Sequence, residues 1–211
     1  MARGDVAVSS APPITLWTFQ HLMHWRELER VGRLRRGSGH VTNVEPAWRD
    51  AYAWMMTQMQ ERISGYCGGF PMWAWASAPP TLWHESSGWP LGTPFVRIEF
   101  RVHPSRVLRS DFDAWHSVLH PSPLCLTEAE DAAWDARQGP FDAQPADVRA
   151  AIRATWPRIF DLDAFARSPL WDAHEHARDI QAVVEELRFT DVVHTTMCIG
   201  RQWPPTFLRT P

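Results

Sequence analysis

Residues 95–102 read FVRIEFRV, and their strict alternation constrains the fold more than any other stretch of the chain. A β-strand points successive side chains to opposite faces, so this octet predicts one apolar face and one mixed face. The apolar face would carry Val96, Ile98, Phe100 and Val102, and the mixed face would carry Phe95, Arg97, Glu99 and Arg101.

Further strands are predicted near both ends of the chain, with helices between them. Strand patterns occur in ITLWTFQ (14–20), PMWAWAS (71–77), IQAVVEELRF (180–189) and DVVHTTMCIG (191–200). The clearest helix is EPAWRDAYAWMMTQMQERIS (45–64), where Pro46 suits a first turn and Gly65 follows the end. Residues 33–40, RLRRGSGH, read as a basic loop.

This order of elements predicts a single α+β domain with a small, partly antiparallel sheet flanked by helices. Residues 1–13 are expected to be a disordered lead-in, residues 14–203 the domain, and residues 204–211 a C-terminal tail. The Pro-, Gly- and Ser-rich segment 78–94 reads as a long loop.

Composition excludes several classes of function. The chain has no lysine, so all 21 of its Lys and Arg residues are arginine, which excludes a Schiff-base lysine and a P-loop lysine. A net charge of −3 gives no strong attraction to nucleic acid or an anionic membrane. With no apolar run long enough to span a bilayer and no signal-peptide pattern, the expected location is the cytoplasm.

The three cysteines, Cys67, Cys125 and Cys198, include no C-x-x-C pair, so neither a disulfide framework nor a thiolate zinc site is expected. No metal cofactor is predicted. The 13 tryptophans against two tyrosines are more informative, because indoles fill cores and also line pockets that stack planar ligands.

Several motifs resemble a bacterial family known only as a domain of unknown function, number 3841. The matching pieces are LWTFQ, AYAWMMTQM, PMWAWA, VLRSDFDAWHSVL, WPRIFDLD and IQAVVEELRFTDVV, which span about residues 15 to 200. After the WAW strand, the family tends to carry an acidic-Leu-Arg segment, whereas this chain reads SAPPTLWHESSGW without an arginine. The family name implies no activity.

A second resemblance is to small ADP-ribosyltransferase-like domains. It follows from the opening strand, a helix that ends in ERVGRL, an aromatic second strand and the segment FRVHPSRVLRSD. This resemblance implies that Thr18 or Gln20 grips nicotinamide adenine dinucleotide and that Trp73 or Trp75 stacks on the nicotinamide. It also implies that Gln181 or Glu185 provides the late-strand catalytic group.

The stretch SDFDAWHSVLH (110–120) brings two carboxylates, a tryptophan and two histidines together. As a helix start, Ser110 or Asp111 would be the cap and Trp115 would pack inward. His116 and His120 share a helix face and could bind a metal, but no third ligand is evident. We interpret the stretch as a capped structural helix in which His116 and Asp111 are candidate pocket residues.

The tryptophans Trp73 and Trp75 lie two residues apart and so share a strand face. They form either a stacking platform for a planar ring or a core stripe that needs no ligand. On the first strand, Gln20 could hydrogen-bond a carboxamide, or it could be an ordinary polar residue of an edge strand.

The late strand offers Gln181 and Glu185 on one face. A carboxylate near a sugar could stabilise an oxocarbenium ion by charge, as ADP-ribosyl transfer requires, so we predict that Glu185 points into the pocket. The alternative is ordinary solvated charge.

Two hypotheses about function follow. The first is an ADP-ribosyltransferase-like enzyme that uses nicotinamide adenine dinucleotide as co-substrate, with a macromolecule or water as acceptor. The second is a non-catalytic module that binds a nucleotide or a peptide through the same tryptophans. A metal enzyme built on His116, His120 and a carboxylate is a third alternative.

Overall fold

The computed structural model describes residues 11–76, 89–136, 140–171 and 179–201. Most of the predicted lead-in, the whole predicted tail, and most of the segment that lacks the family's arginine lie outside these residues.

The chain folds as an α+β domain, as predicted. Six strands of the described residues form one antiparallel sheet in the order β5-β6-β3-β1-β4-β8, and β2 and β7 form a small second sheet. The strands are β1 (Ile14–His21), β2 (Arg33–Arg35), β3 (Met72–Trp75), β4 (Pro94–Val102), β5 (Leu108–Asp111), β6 (Ile180–Val184), β7 (Glu186–Arg188) and β8 (Val192–Ile199).

The described residues also form six α-helices. They are α1 (Leu22–Val31), α2 (Arg49–Arg62), α3 (Phe112–Leu119), α4 (Glu128–Asp135), α5 (Ala146–Thr155) and α6 (Leu162–Arg167), and 3₁₀ turns such as Trp156–Phe160 extend them.

Local sequence signals set several helix ends. Gly32 ends α1 in the left-handed conformation, with φ at 79°, which glycine adopts at little cost. Asp111 caps α3 by accepting the backbone N–H of Ala114 at 2.8 Å. Thr127 caps α4 in the same way, by accepting the N–H of Glu130 at 3.2 Å.

The two faces of the sheet carry separate cores. Strand β4 alternates as predicted, and its Val96, Ile98 and Phe100 pack with Leu28 of α1 and Leu34 of β2 on the first face. On the second face, helices cover the half of the sheet formed by β5, β6 and β3. That core includes Met55, Trp115, Trp156, Phe165 and Val183.

The predicted strand 180–189 is wrong in one respect, because the chain breaks at Glu185. Strand β6 stays in the large sheet, whereas β7 pairs with β2, with Leu187 opposite Leu34. Residues 33–35, predicted as part of a basic loop, therefore form a strand. Three residues are too few to show a period, so the pairing partner decides their conformation.

Candidate functional site

A cleft of about 360 Å³ opens on the second face of the sheet, beside helix α3. Five of the predicted site residues border it or contribute to its wall. The lining residues are Thr18, Phe19, Trp48, Trp73, Ala74, Trp75, Phe112, Trp115, His116, Leu119 and Gln181. Cavities of this volume are typical of small-molecule sites.

Strand register brings the floor of the cleft together. Trp75 lies opposite Trp17 on β1 and opposite Gln181 on β6, and Gln181 in turn lies opposite Ser110 on β5. Directly opposed residues point to the same face of an antiparallel sheet, so these side chains form one row across four strands. The same row continues to Glu99 on β4.

Aromatic rings form the walls. The rings of Trp73 and Trp115 have centroids 4.9 Å apart, and those of Trp75 and Phe112 are 5.1 Å apart. The Tyr52 ring of α2 contacts both Trp73 and Trp115 edge to face, and these contacts restrict the orientation of the two indoles. Trp75 is only partly buried and presents its surface at the cleft.

Thr18 and Gln20 form a hydrogen-bonded relay inside the fold. The amide Nε2 of Gln20 donates to Thr18 Oγ1 at 3.0 Å, and Thr18 Oγ1 donates to the backbone carbonyl of Trp73 at 2.9 Å. This relay joins β1 to β3 beyond their Trp17–Trp75 pair. Both side chains are buried, and Gln20 is not among the residues that line the cleft.

Three buried polar atoms near the cleft floor have no hydrogen-bond partner among the described residues. They are Gln181 Nε2, Ser110 Oγ and Trp73 Nε1. Gln181 is 5% exposed and Ser110 is 1% exposed, so bulk water does not satisfy these groups. Most buried polar side-chain atoms in proteins are paired, so three exceptions on one patch require an explanation.

Tyr52 is the polar neighbour of the Trp73 indole. Burial raises the pKa of the Tyr52 hydroxyl, and the Trp73 side chain acts in the opposite direction. This effect is that of a side-chain hydrogen bond, so the Trp73 N–H has a polar neighbour in Tyr52 even though no partner lies within strict hydrogen-bonding geometry. Gln181, whose Nε2 makes no such interaction with a described residue, is the clearer of the two cases.

His116 stands at the mouth of the cleft and is exposed. Its Nδ1 lies 2.9 Å from the carbonyl oxygen of Phe112, and a carbonyl only accepts, so Nδ1 carries the proton. In the neutral ring, Nε2 is then an acceptor that a ligand can use. Asp111, in contrast, is buried, caps α3 and does not line the cleft.

Glu185 lies outside this cleft, because β6 ends one residue before it. Its Oε1 accepts from Arg35 Nη2 at 2.5 Å and from the N–H of Gly69 at 2.8 Å, and both carboxylate oxygens lie 3.0 Å from the N–H of Cys67. The Glu185 side chain is 11% exposed. The structure therefore does not bring the predicted acid to the tryptophans.

The described residues contain no group of three His, Cys, Asp or Glu side chains placed to hold a metal ion. His120 lies apart from His116, in the wall of a second cavity of about 420 Å³ that also includes Trp134 and Phe141. None of the three unpaired polar atoms belongs to that second cavity. Among the described helices, none is long and apolar enough to cross a membrane.

The sequence left several cleft residues unidentified. Trp48, Phe112, Trp115 and Phe19 were not assigned to a site, although Phe112 and His116 are four residues apart on a helix and so share a face. Ser110 was considered only as a helix cap. Its position opposite Gln181 depends on strand register, which sequence spacing does not reveal.

Comparison with known proteins gives one match. No curated protein matches the chain, and no solved structure does. Residues 15–193 match a family described as Domain of unknown function (DUF3841). Because the match covers most of the 211 residues, the chain belongs to this family.

Proposed function

We propose that this protein is a nucleotide-binding module that takes a planar ring into the tryptophan cleft, and that the nicotinamide ring of nicotinamide adenine dinucleotide is the first candidate. The observation that carries the proposal is that one cleft is lined both by aromatic side chains and by Gln181, whose buried amide has no hydrogen-bond partner among the described residues. Aromatic walls with a few placed polar groups are the common form of small-molecule sites.

The charge of the cleft favours a ring over a phosphate. Its lining residues include no Asp, Glu or Arg, and His116 is the one titratable side chain among them. Phosphate recognition normally uses arginine or a cluster of backbone N–H groups. The ring would therefore enter the cleft, and any phosphates would remain outside it.

The resemblance to ADP-ribosyltransferase-like domains adds support. It implies that an early-strand polar residue, a second-strand aromatic residue and a late-strand Glu or Gln act at one site. Trp73, Trp75 and Gln181 border the same cleft. Thr18 also borders it, but its side chain lies on the face of Ile98 and donates to the Trp73 carbonyl. Of the two late-strand candidates, this geometry favours Gln181 over Glu185.

We favour binding over catalysis because the described residues that line the cleft include no carboxylate. An amide is neutral, so Gln181 would not stabilise an oxocarbenium ion by charge. Glu99 lies in the same cross-strand row, on the side of Trp17 away from Trp75. Its Oε2 accepts a hydrogen bond from the Trp17 indole at 3.4 Å. ADP-ribosyl transfer is therefore the second candidate function.

A fluorescence titration tests the proposal. Purified protein is titrated with nicotinamide adenine dinucleotide, nicotinamide and adenosine diphosphate ribose, and indole emission is followed. We expect saturable quenching by the two ligands that carry nicotinamide, and loss of that quenching in Trp75→Leu. The matched control is Trp25→Leu, because Trp25 packs against the core on the opposite face of the sheet.

The same samples distinguish a module from an enzyme. Chromatography of the dinucleotide after incubation should show no release of nicotinamide if the protein only binds. Release that Gln181→Met abolishes would instead favour the transferase. Absence of quenching by every ring-bearing ligand up to millimolar concentration would contradict the proposed function.

A further inference from the structure

The unpaired amide of Gln181 is the polar group on which this inference rests. Its Nε2 is buried, lies in a residue that lines the cleft, and has no hydrogen-bond partner among the described residues. The neighbouring Ser110 Oγ is unpaired as well, so the residue directly opposite on β5 does not satisfy the amide.

Such an arrangement destabilises the free protein. A buried donor without an acceptor loses its hydrogen bonds to water and gains nothing in return. An apolar side chain of similar length would avoid this cost. A ligand that supplies an acceptor would remove the cost as well, and only while it is bound.

We propose that Gln181 is the specificity-determining residue of the cleft, and that it selects aromatic rings that carry a carbonyl acceptor, such as a ring carboxamide. This inference rests on the proposed function and names the ligand class.

The amide N–H donors of Gln181 define what the cleft rejects. A ring whose substituent offers only hydrogen-bond donors would leave the Gln181 amide N–H groups without an acceptor. A ring with no polar substituent would leave the donors unpaired. A site built to hydrogen-bond a substituent discriminates strongly against the analogue that lacks it.

Two small probes and one substitution test this selectivity. Benzamide carries the ring and the carbonyl, and toluene carries the ring alone. Gln181→Met removes the donor and keeps an unbranched side chain of similar length. Gln60→Met is the matched control, because Gln60 is an exposed residue of α2.

We expect Gln181→Met to raise the Kd for benzamide about tenfold and to leave the Kd for toluene unchanged, since only benzamide uses the amide. The midpoint of thermal unfolding should rise by about 2 to 4 °C, because the variant no longer buries an unpaired donor. Gln60→Met should change neither affinity.

The outcomes separate this inference from the proposed function. Equal effects of Gln181→Met on the two probes, or none on either, would overturn the selectivity and leave ring binding intact. Failure of the wild-type protein to bind benzamide, toluene and the dinucleotide would overturn both. A fall in the unfolding midpoint of Gln181→Met would show that the amide is structural, which also contradicts the inference.

Discussion

Gln181 and Glu185 lie four residues apart at the two ends of the β6 segment, about 13 Å along an extended chain, and their hydrogen bonding is opposite. The Glu185 carboxylate accepts from Arg35, Cys67 and Gly69. The Gln181 amide Nε2 donates to no described residue. One polar side chain is saturated by its own fold, and the other is not.

The difference indicates which residue stabilises the fold and which is available to a ligand. A saturated carboxylate has little capacity left for chemistry, and its removal exposes the donors it satisfied. An unsatisfied amide lowers the stability of the free protein, and a bound ligand that accepts its hydrogen bond would restore that stability. We therefore assign Glu185 a structural role, and Gln181 remains the residue that we propose for ligand binding.

The largest expected effect comes from Glu185→Ala. The substitution leaves the backbone N–H groups of Cys67 and Gly69 without their acceptor, and Arg35 keeps only the Cys67 carbonyl. The free energy of unfolding should fall by about 3 kcal/mol. Urea denaturation measures the change. The folded variant should bind ring-bearing ligands with the same affinity as wild type. Loss of ligand binding by a folded variant would contradict the purely structural role of Glu185.

Gly69→Ala tests the environment of the Glu185 carboxylate by placing a methyl group against it. A Cβ on Gly69 would lie 2.6 Å from Cγ and 2.9 Å from Oε1 of Glu185, so the pinned carboxylate would have to move. We expect a loss of about 2 kcal/mol in urea denaturation. Gly37→Ala is the control, because a Cβ there meets nothing within 4 Å, and a similar loss in both variants would refute the steric explanation.

Thr18→Val probes a satisfied polar residue that borders the cleft. The change removes the hydroxyl that donates to the Trp73 carbonyl and accepts from Gln20. Two buried groups lose a partner, so the free energy of unfolding should fall by about 1 to 2 kcal/mol. Thermal unfolding measures this; an unchanged midpoint would mean that the relay contributes nothing.

Glu130→Gln should have the smallest effect, because this saturated carboxylate is more exposed than Glu185. A hydrogen bond from Arg158, and then one from the backbone N–H of Leu126, hold the pKa of Glu130 below its usual value of 4.5. Because the pKa of Glu130 is lower in the folded protein than in the unfolded chain, ionised Glu130 stabilises the fold at pH values above its unfolded-state pKa. This stabilisation is lost as the pH falls through the folded-state pKa.

Because 38% of the Glu130 side chain is exposed, solvent screening should keep the contribution below about 1 kcal/mol. Urea denaturation of wild type and Glu130→Gln at pH 7 and pH 3 checks the sign. The difference between the two proteins should be larger at pH 7 than at pH 3. A larger difference at pH 3 than at pH 7 would contradict the predicted sign of the pH dependence.

Strand patterns and helix caps could be predicted from the sequence because their causes are local. The alternation of residues 95–102 and the cap at Asp111 depend on neighbours in the chain, and the structure agrees with both. The strand at residues 33–35 could not be predicted, since its partner is Glu186–Arg188, about 150 residues away.

The candidate site was predictable only as a set of residue types. Trp75 and Gln181 were both proposed, but their opposition depends on the register between β3 and β6. Whether Gln181 or Glu185 faces the tryptophans depends on where β6 ends. The unpaired state of the amide is a property of the whole packed environment and has no signature in spacing.

The most direct test of the central claim is a ¹⁵N–¹H spectrum of the side-chain amides and indoles, recorded as benzamide is added, with Gln181→Met used to assign the Gln181 signal. We predict that the Gln181 side-chain N–H resonances move downfield and saturate together with the fluorescence change, because the amide then donates to the ligand carbonyl. Saturable binding that leaves the Gln181 resonances unmoved would contradict the account.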